Sequence, residues 1–70
     1  MTSVTKNRND LLRFFTERNF SPSFLLRVSE RFIDKTEDQK EQLAQFVLRI
    51  ISDCRTEEEA IEHLITVGFL

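Results

Sequence analysis

Cysteine, histidine, glycine and proline each occur once in these 70 residues, and tryptophan and tyrosine do not occur at all. One cysteine excludes an intrachain disulfide, and one histidine beside it leaves a zinc site short of most of its four ligands. No metal and no cofactor is therefore expected. A chain this short buries a small share of its unfolded surface, and without those supports it must rely on efficient packing or on oligomerisation. No apolar run reaches the length of a membrane span, and the opening MTSVTKNRND lacks the apolar core of a signal peptide. The expectation is a soluble cytoplasmic protein with no membrane contact, and a lone thiol suits a reducing compartment.

What the chain does have is apolar bulk without polar handles. Seven phenylalanines supply ring area and no hydroxyl or indole N–H, which suits a core better than a sugar or nucleobase site. Leucine, isoleucine, valine and phenylalanine total 24 residues, a surplus for four short helices. The formal net charge is −2, but it is unevenly spread. Residues 1–35 hold seven basic against four acidic side chains, and residues 36–70 hold three against eight. A basic half and an acidic half suit an acidic partner or the pairing of two copies.

The pattern is helical throughout, with no period-two alternation. Residues 1–8 are polar and aperiodic and read as a mobile arm, leaving 9–70 as a single helical domain. A first helix starts near Asn7 or Asn9 and carries Leu11, Leu12, Phe14 and Phe15 on one face. Ser21 and Pro22 then form a helix start, the hydroxyl capping and the proline losing no bond at the first helical position. The second helix runs on to Asp34, with Phe24, Leu25, Val28 and Phe32 on one stripe and Leu26 and Ile33 widening it. Thr36 and Gln39 are spaced as a capping box for the third, and Thr56 and Glu59 repeat the spacing for the fourth. Gly68 suits a left-handed position after the last helix, with Phe69 folding back near Leu64. In the third helix Leu43, Phe46, Val47, Ile50, Ile51 and Cys54 share a stripe that Ala44 and Leu48 broaden to nearly half the cylinder. So wide an arc calls for contact from two directions. The fold expected is all-α, a compact four-helix domain of short antiparallel helices with helix 3 (about 37–54) central, and a dimer that covers the apolar surplus.

Chemistry is harder to find. His63 borders the apolar side of the fourth helix near Glu59 and Glu62, with no nucleophile and supporting shell beside it in sequence, so no catalytic residue is assigned and an enzyme is not expected. Cys54 reads as a small buried hydrophobe. The run Glu57-Glu58-Glu59 is a helix first turn and lacks the alternate oxygen ligands and glycine of a calcium loop. The segment FTERNFSPSFLLRVSERF resembles the DNA-reading part of small bacterial regulators, and that resemblance implies phosphate contacts from Arg8, Arg13, Arg27 and Arg31. Against it, the turn has no glycine, and Glu30 and Asp34 share the face that would meet phosphate. The closing AIEHLITVGF resembles the hydrophobic loop of the ubiquitin-associated domain; further helices follow the loop in that family, and it is not assigned. The function expected is that of a small non-enzymatic regulatory or adaptor protein, a homodimer that binds a protein partner through Phe20, Leu26, Ile33 and Leu48. The alternative is a DNA-binding regulator using the corner at residues 10–34.

Overall fold

The computed structural model describes residues 5–70 and places four helices in chain order: α1 (Lys6–Glu17), α2 (Pro22–Glu30), α3 (Glu37–Ile51) and α4 (Glu57–Thr66). No strand is present among the described residues. Both α1 and α4 pack against α3, and the buried side chains of all four helices form one cluster.

Local capping explains three of the four helix starts. Ser21 accepts from the Phe24 amide at the head of α2, with Pro22 next to it. At α3 the capping box closes in both directions, Gln39 N donating to Thr36 Oγ1 at 3.2 Å and Thr36 N to Gln39 Oε1 at 3.0 Å. At α4 only half of the expected box forms. Glu59 N donates to Thr56 Oγ1, but the Glu59 carboxylate accepts from Arg55 N at 2.8 Å, one residue upstream of the cap.

The start of α1 differs from the expectation. The helix begins at Lys6, so Asn7 is not a cap and Lys6, Asn7 and Arg8 belong to its first turn; of the expected arm, residues 1–4 lie outside the described residues. Thr5 occupies the N-cap position and makes no side-chain capping bond. The orphan amides are taken instead by a carboxylate from α3: Asn7 N and Arg8 N donate to Glu41 at 2.8 and 3.2 Å. Arg8 Nε also donates to Glu41 at 3.0 Å, the Asn7 side chain donates to the Glu41 carbonyl, and Arg8 reaches Glu37 at 3.1 Å. A negative charge at the positive end of α1 gains from the helix dipole as well. Partial burial pushes the Glu41 carboxyl up, but the Asn7 amide and the Arg8 guanidinium and amide outweigh it and hold the group below its ordinary value. The Arg8 guanidinium, with Lys40 behind it, lowers Glu37 in the same direction.

Two more polar links join chain-distant ends. Glu57, in the first turn of α4, accepts from both the amide and the hydroxyl of Ser21. Arg18 donates to the Cys54 carbonyl at 3.0 Å and lies 4.7 Å above the Phe14 ring.

Two helices end in a left-handed residue with paired return bonds. After α4, Gly68 (φ 85°) donates to Ile65 O, and Phe69 donates to Leu64 O. After α1, Asn19 (φ 56°) donates to Thr16 O, and Phe20 donates to Phe15 O. In this motif the residue after the left-handed one folds back on the helix. Phe20 does so, with its ring centroid 5.6 Å from Phe15 and 5.3 Å from Phe24. Phe69 meets Phe32 at 6.3 Å.

Helix 2 is shorter than its pattern suggests. Arg31 N and Phe32 N bond to carbonyls three residues back, so residues 31–34 form turns and Ile33 sits outside the helix. In α3 the deeply buried side chains are Ala44, Val47 and Ile51, with Cys54 just beyond the helix end. Leu43, Phe46 and Ile50 fall on a flank of that buried face, and Phe46 is exposed.

Two predictions follow from the helix ends. Glu41→Gln should lower the melting temperature at pH 7. Because Glu41 and Glu37 sit below their unfolded values, their contribution is complete above the ordinary carboxylate range and is lost as pH falls through the lowered values. Thermal melts of wild type should therefore drop between neutral and acid pH, and the variant's should drop less; parallel curves would refute the clamp. At the other end, Gly68→Ala should cost about 1 kcal/mol by chemical denaturation, purely from the left-handed backbone, since an added Cβ there meets nothing within 4 Å.

Candidate interaction site

Next to the core, α1 and α2 do not close fully on each other. Between them runs a groove of about 420 Å³ whose walls are Leu11, Leu12 and Phe15 from α1 and Leu25, Leu26 and Phe32 from α2 and its following turn. Leu11 and Phe15 are buried at its floor, whereas Leu12 is 54% and Leu26 61% exposed at its lips. Arg8, Pro22, Val28 and Ser29 complete the lining. The Arg8 charge is already met by Glu37 and Glu41, so the groove is apolar and nearly neutral. Concave apolar surface of this size is what a protein uses to receive side chains of a partner.

The four residues expected at a protein interface are scattered. Leu26 is on the groove. Phe20 is buried at 8% exposure and is a core residue, because the return bond to Phe15 turns its ring inward. Leu48 is half-buried and packs against the core on the flank of α3 opposite Phe46. Ile33 is the most exposed large apolar side chain among the described residues, at 69%, and lies in the turn after α2. Leu12, Phe46, Ile65 and Val67 are exposed apolar residues that periodicity had assigned to buried faces. A stripe marks which residues share a face; it does not mark how far round that face a neighbouring helix reaches.

The expected phosphate-binding arginines do not form one patch with Arg8. Its side chain is held by two carboxylates. Arg27, in the last turn of α2, and Arg31, the residue that caps its C-terminal end, are both exposed, and by helical geometry Arg27 falls on the flank of α2 opposite the groove. Arg13 is exposed on α1. None of Arg13, Arg27 and Arg31 has an ion pair among the described residues.

One contact was invisible to motif reading: Cys54 Sγ lies 3.4 Å from His63 Nδ1. The turn after α3 returns the chain into α4 and brings the two together across nine residues. The pair does not make a nucleophile. Burial pushes the Cys54 thiol up, Glu59 and Asp53 push it further, and Arg18 only partly opposes them. At 1% exposure the sulfur is also out of reach, and it makes a second contact with the Ile50 carbonyl at 3.6 Å. Among the described residues no cluster of three or more histidine, cysteine, aspartate or glutamate side chains is arranged to hold a metal ion. None of their helices is long and apolar enough to cross a membrane.

Alkylation of Cys54 at pH 8 should be at least about ten-fold slower in the folded protein than in denaturant, since a protonated, buried thiol is unreactive. Equal rates, followed by mass spectrometry, would show the sulfur to be accessible. Compared with known families, curated proteins and solved structures, the chain matches none.

Proposed function

We propose that this chain is a small non-enzymatic adaptor or regulator that works in the cytoplasm as a homodimer and binds a protein partner through the α1–α2 groove. The observation that carries the reading is the groove itself, apolar, nearly neutral and lipped by Leu12 and Leu26. Its chemistry suits the apolar face of an amphipathic helix, whose leucine-sized side chains enter between α1 and α2. Exposed apolar lips around a concave floor are the arrangement in which a few anchors dominate binding. The DNA-binding alternative retains exposed Arg13, Arg27 and Arg31 but does not retain Arg8, whose guanidinium is occupied.

Affinity capture from the native host, with wild type and with Leu12→Asp/Leu26→Asp, tests the reading. Both positions are exposed, so the variant should keep its helical circular dichroism. Wild type should retain a protein partner that the variant loses by at least about ten-fold, as expected for removal of two anchors. Equal retention by both would refute the groove as the docking site. A salt-sensitive mobility shift with DNA that weakens on Arg27→Ala/Arg31→Ala would favour the alternative.

A further inference from the structure

The flank of α3 that faces neither the core nor the α1–α2 groove carries a second apolar row. Gln39, Leu43, Phe46 and Ile50 within α3, and Asp53 in the turn after it, follow one another at intervals of four, three, four and three residues, the spacing of a coiled-coil seam. The three central members are apolar and the two outer ones polar, so the row has the length of one helix–helix contact. Phe46, in the middle, is 43% exposed, although its neighbour Val47 is completely buried. Leu43 and Ile50 on either side of Phe46 are half-buried, Ile50 with part of its surface against the core.

The charged side chains that line the two ends of this row differ in sign. Lys35 lies beside Gln39, Leu43 and Phe46 at the N-terminal end. At the other end Asp53 and Glu62 line a surface with Ile50 and Val67, outnumbering Arg49. Gln39 and Asp53 stand seven residues on either side of Phe46. From this symmetry we infer that a second copy of the chain covers the flank, its α3 lying antiparallel along the first with a two-fold axis near Phe46. An isologous contact of this kind sets the Lys35 end of each copy against the Asp53 and Glu62 end of the other, and lays Leu43, Phe46 and Ile50 against their counterparts. A parallel arrangement would oppose like charges at both ends. The inference rests on the reading of the chain as a self-associating module and names the surface that does it. It leaves the α1–α2 groove open on both copies.

One pair of helices makes an interface at the small end of specific contacts, so association is expected at about 10–100 µM. Sedimentation equilibrium from about 5 to 500 µM should show a monomer–dimer transition. Phe46→Glu should raise the dissociation constant at least about ten-fold with unchanged circular dichroism, since the side chain is exposed. Lys35→Glu should weaken the dimer, and adding Asp53→Lys should restore it. Leu26→Asp should leave it unchanged. A monomer throughout the range, or a dimer abolished by Leu26→Asp and indifferent to Phe46→Glu, would overturn the inference. Host capture separates the two readings: a partner retained by monomeric Phe46→Glu supports the groove whether or not α3 pairs.

Discussion

The carboxylate of Glu41 is the group on which the placement of α1 depends. It comes from the second turn of α3 and is shared by the amides of Asn7 and Arg8 and the guanidinium of Arg8. In most helices the first amides are satisfied by a residue adjacent in sequence. Here the neighbour Thr5 does not cap with its side chain, and the acceptor arrives from 34 residues away. A bond that completes a helix end only when two helices meet couples the formation of α1 to its docking. The core beneath, with Leu11 and Phe15 on one side and Ala44, Val47 and Ile51 on the other, then closes over a helix whose start has been set.

The same device recurs at the opposite end of the molecule. Glu57 holds the cap residue of α2 from the first turn of α4, and Arg18 takes the last carbonyl of the α3 turn. Each link joins an end of one helix to an end of another and satisfies backbone groups that would otherwise need water. With one cysteine and no metal cluster among the described residues, these polar ties do part of the work that a disulfide performs in other small domains. They differ from surface ion pairs, which contribute little, because each is a bond to the backbone and selects one arrangement of helices.

Three helix ends that depend on neighbours in sequence were legible from the chain. Thr36 with Gln39, Ser21 with Pro22, and Gly68 with Phe69 each announce a helix end whose partners lie within a turn, and all three form. Glu59 shows how narrow that legibility is. It has the right spacing to return to Thr56, yet its carboxylate prefers the Arg55 amide one residue earlier, a choice set by the path of the loop. Glu41 looks like an unremarkable surface residue in sequence, and nothing local connects it with Asn7. The candidate groove was legible only in part for a similar reason. Leu26 was marked by its place beyond the main stripe of α2, but Leu12 shares the apparent core face of α1, and only the spacing between α1 and α2 leaves it at a lip.

The apolar arc of α3 is broader than one neighbour can cover, and the packing shows where the excess lies. Leu48, the residue at the edge of that arc, is drawn against the core, whereas Phe46 on the other flank is left outside. The difference follows from Ala44. A small side chain, fully buried in the main contact face, sits on the Leu48 side of Val47, so that side is turned into the domain and its opposite is turned out. Had the arc been centred on Val47, Phe46 and Leu48 would have shared the exposure and neither flank would offer a continuous row. An off-centre core leaves Leu43, Phe46 and Ile50 together on one side. It therefore gathers part of the apolar surplus on one flank of α3, apart from the α1–α2 groove, whose floor is the core itself.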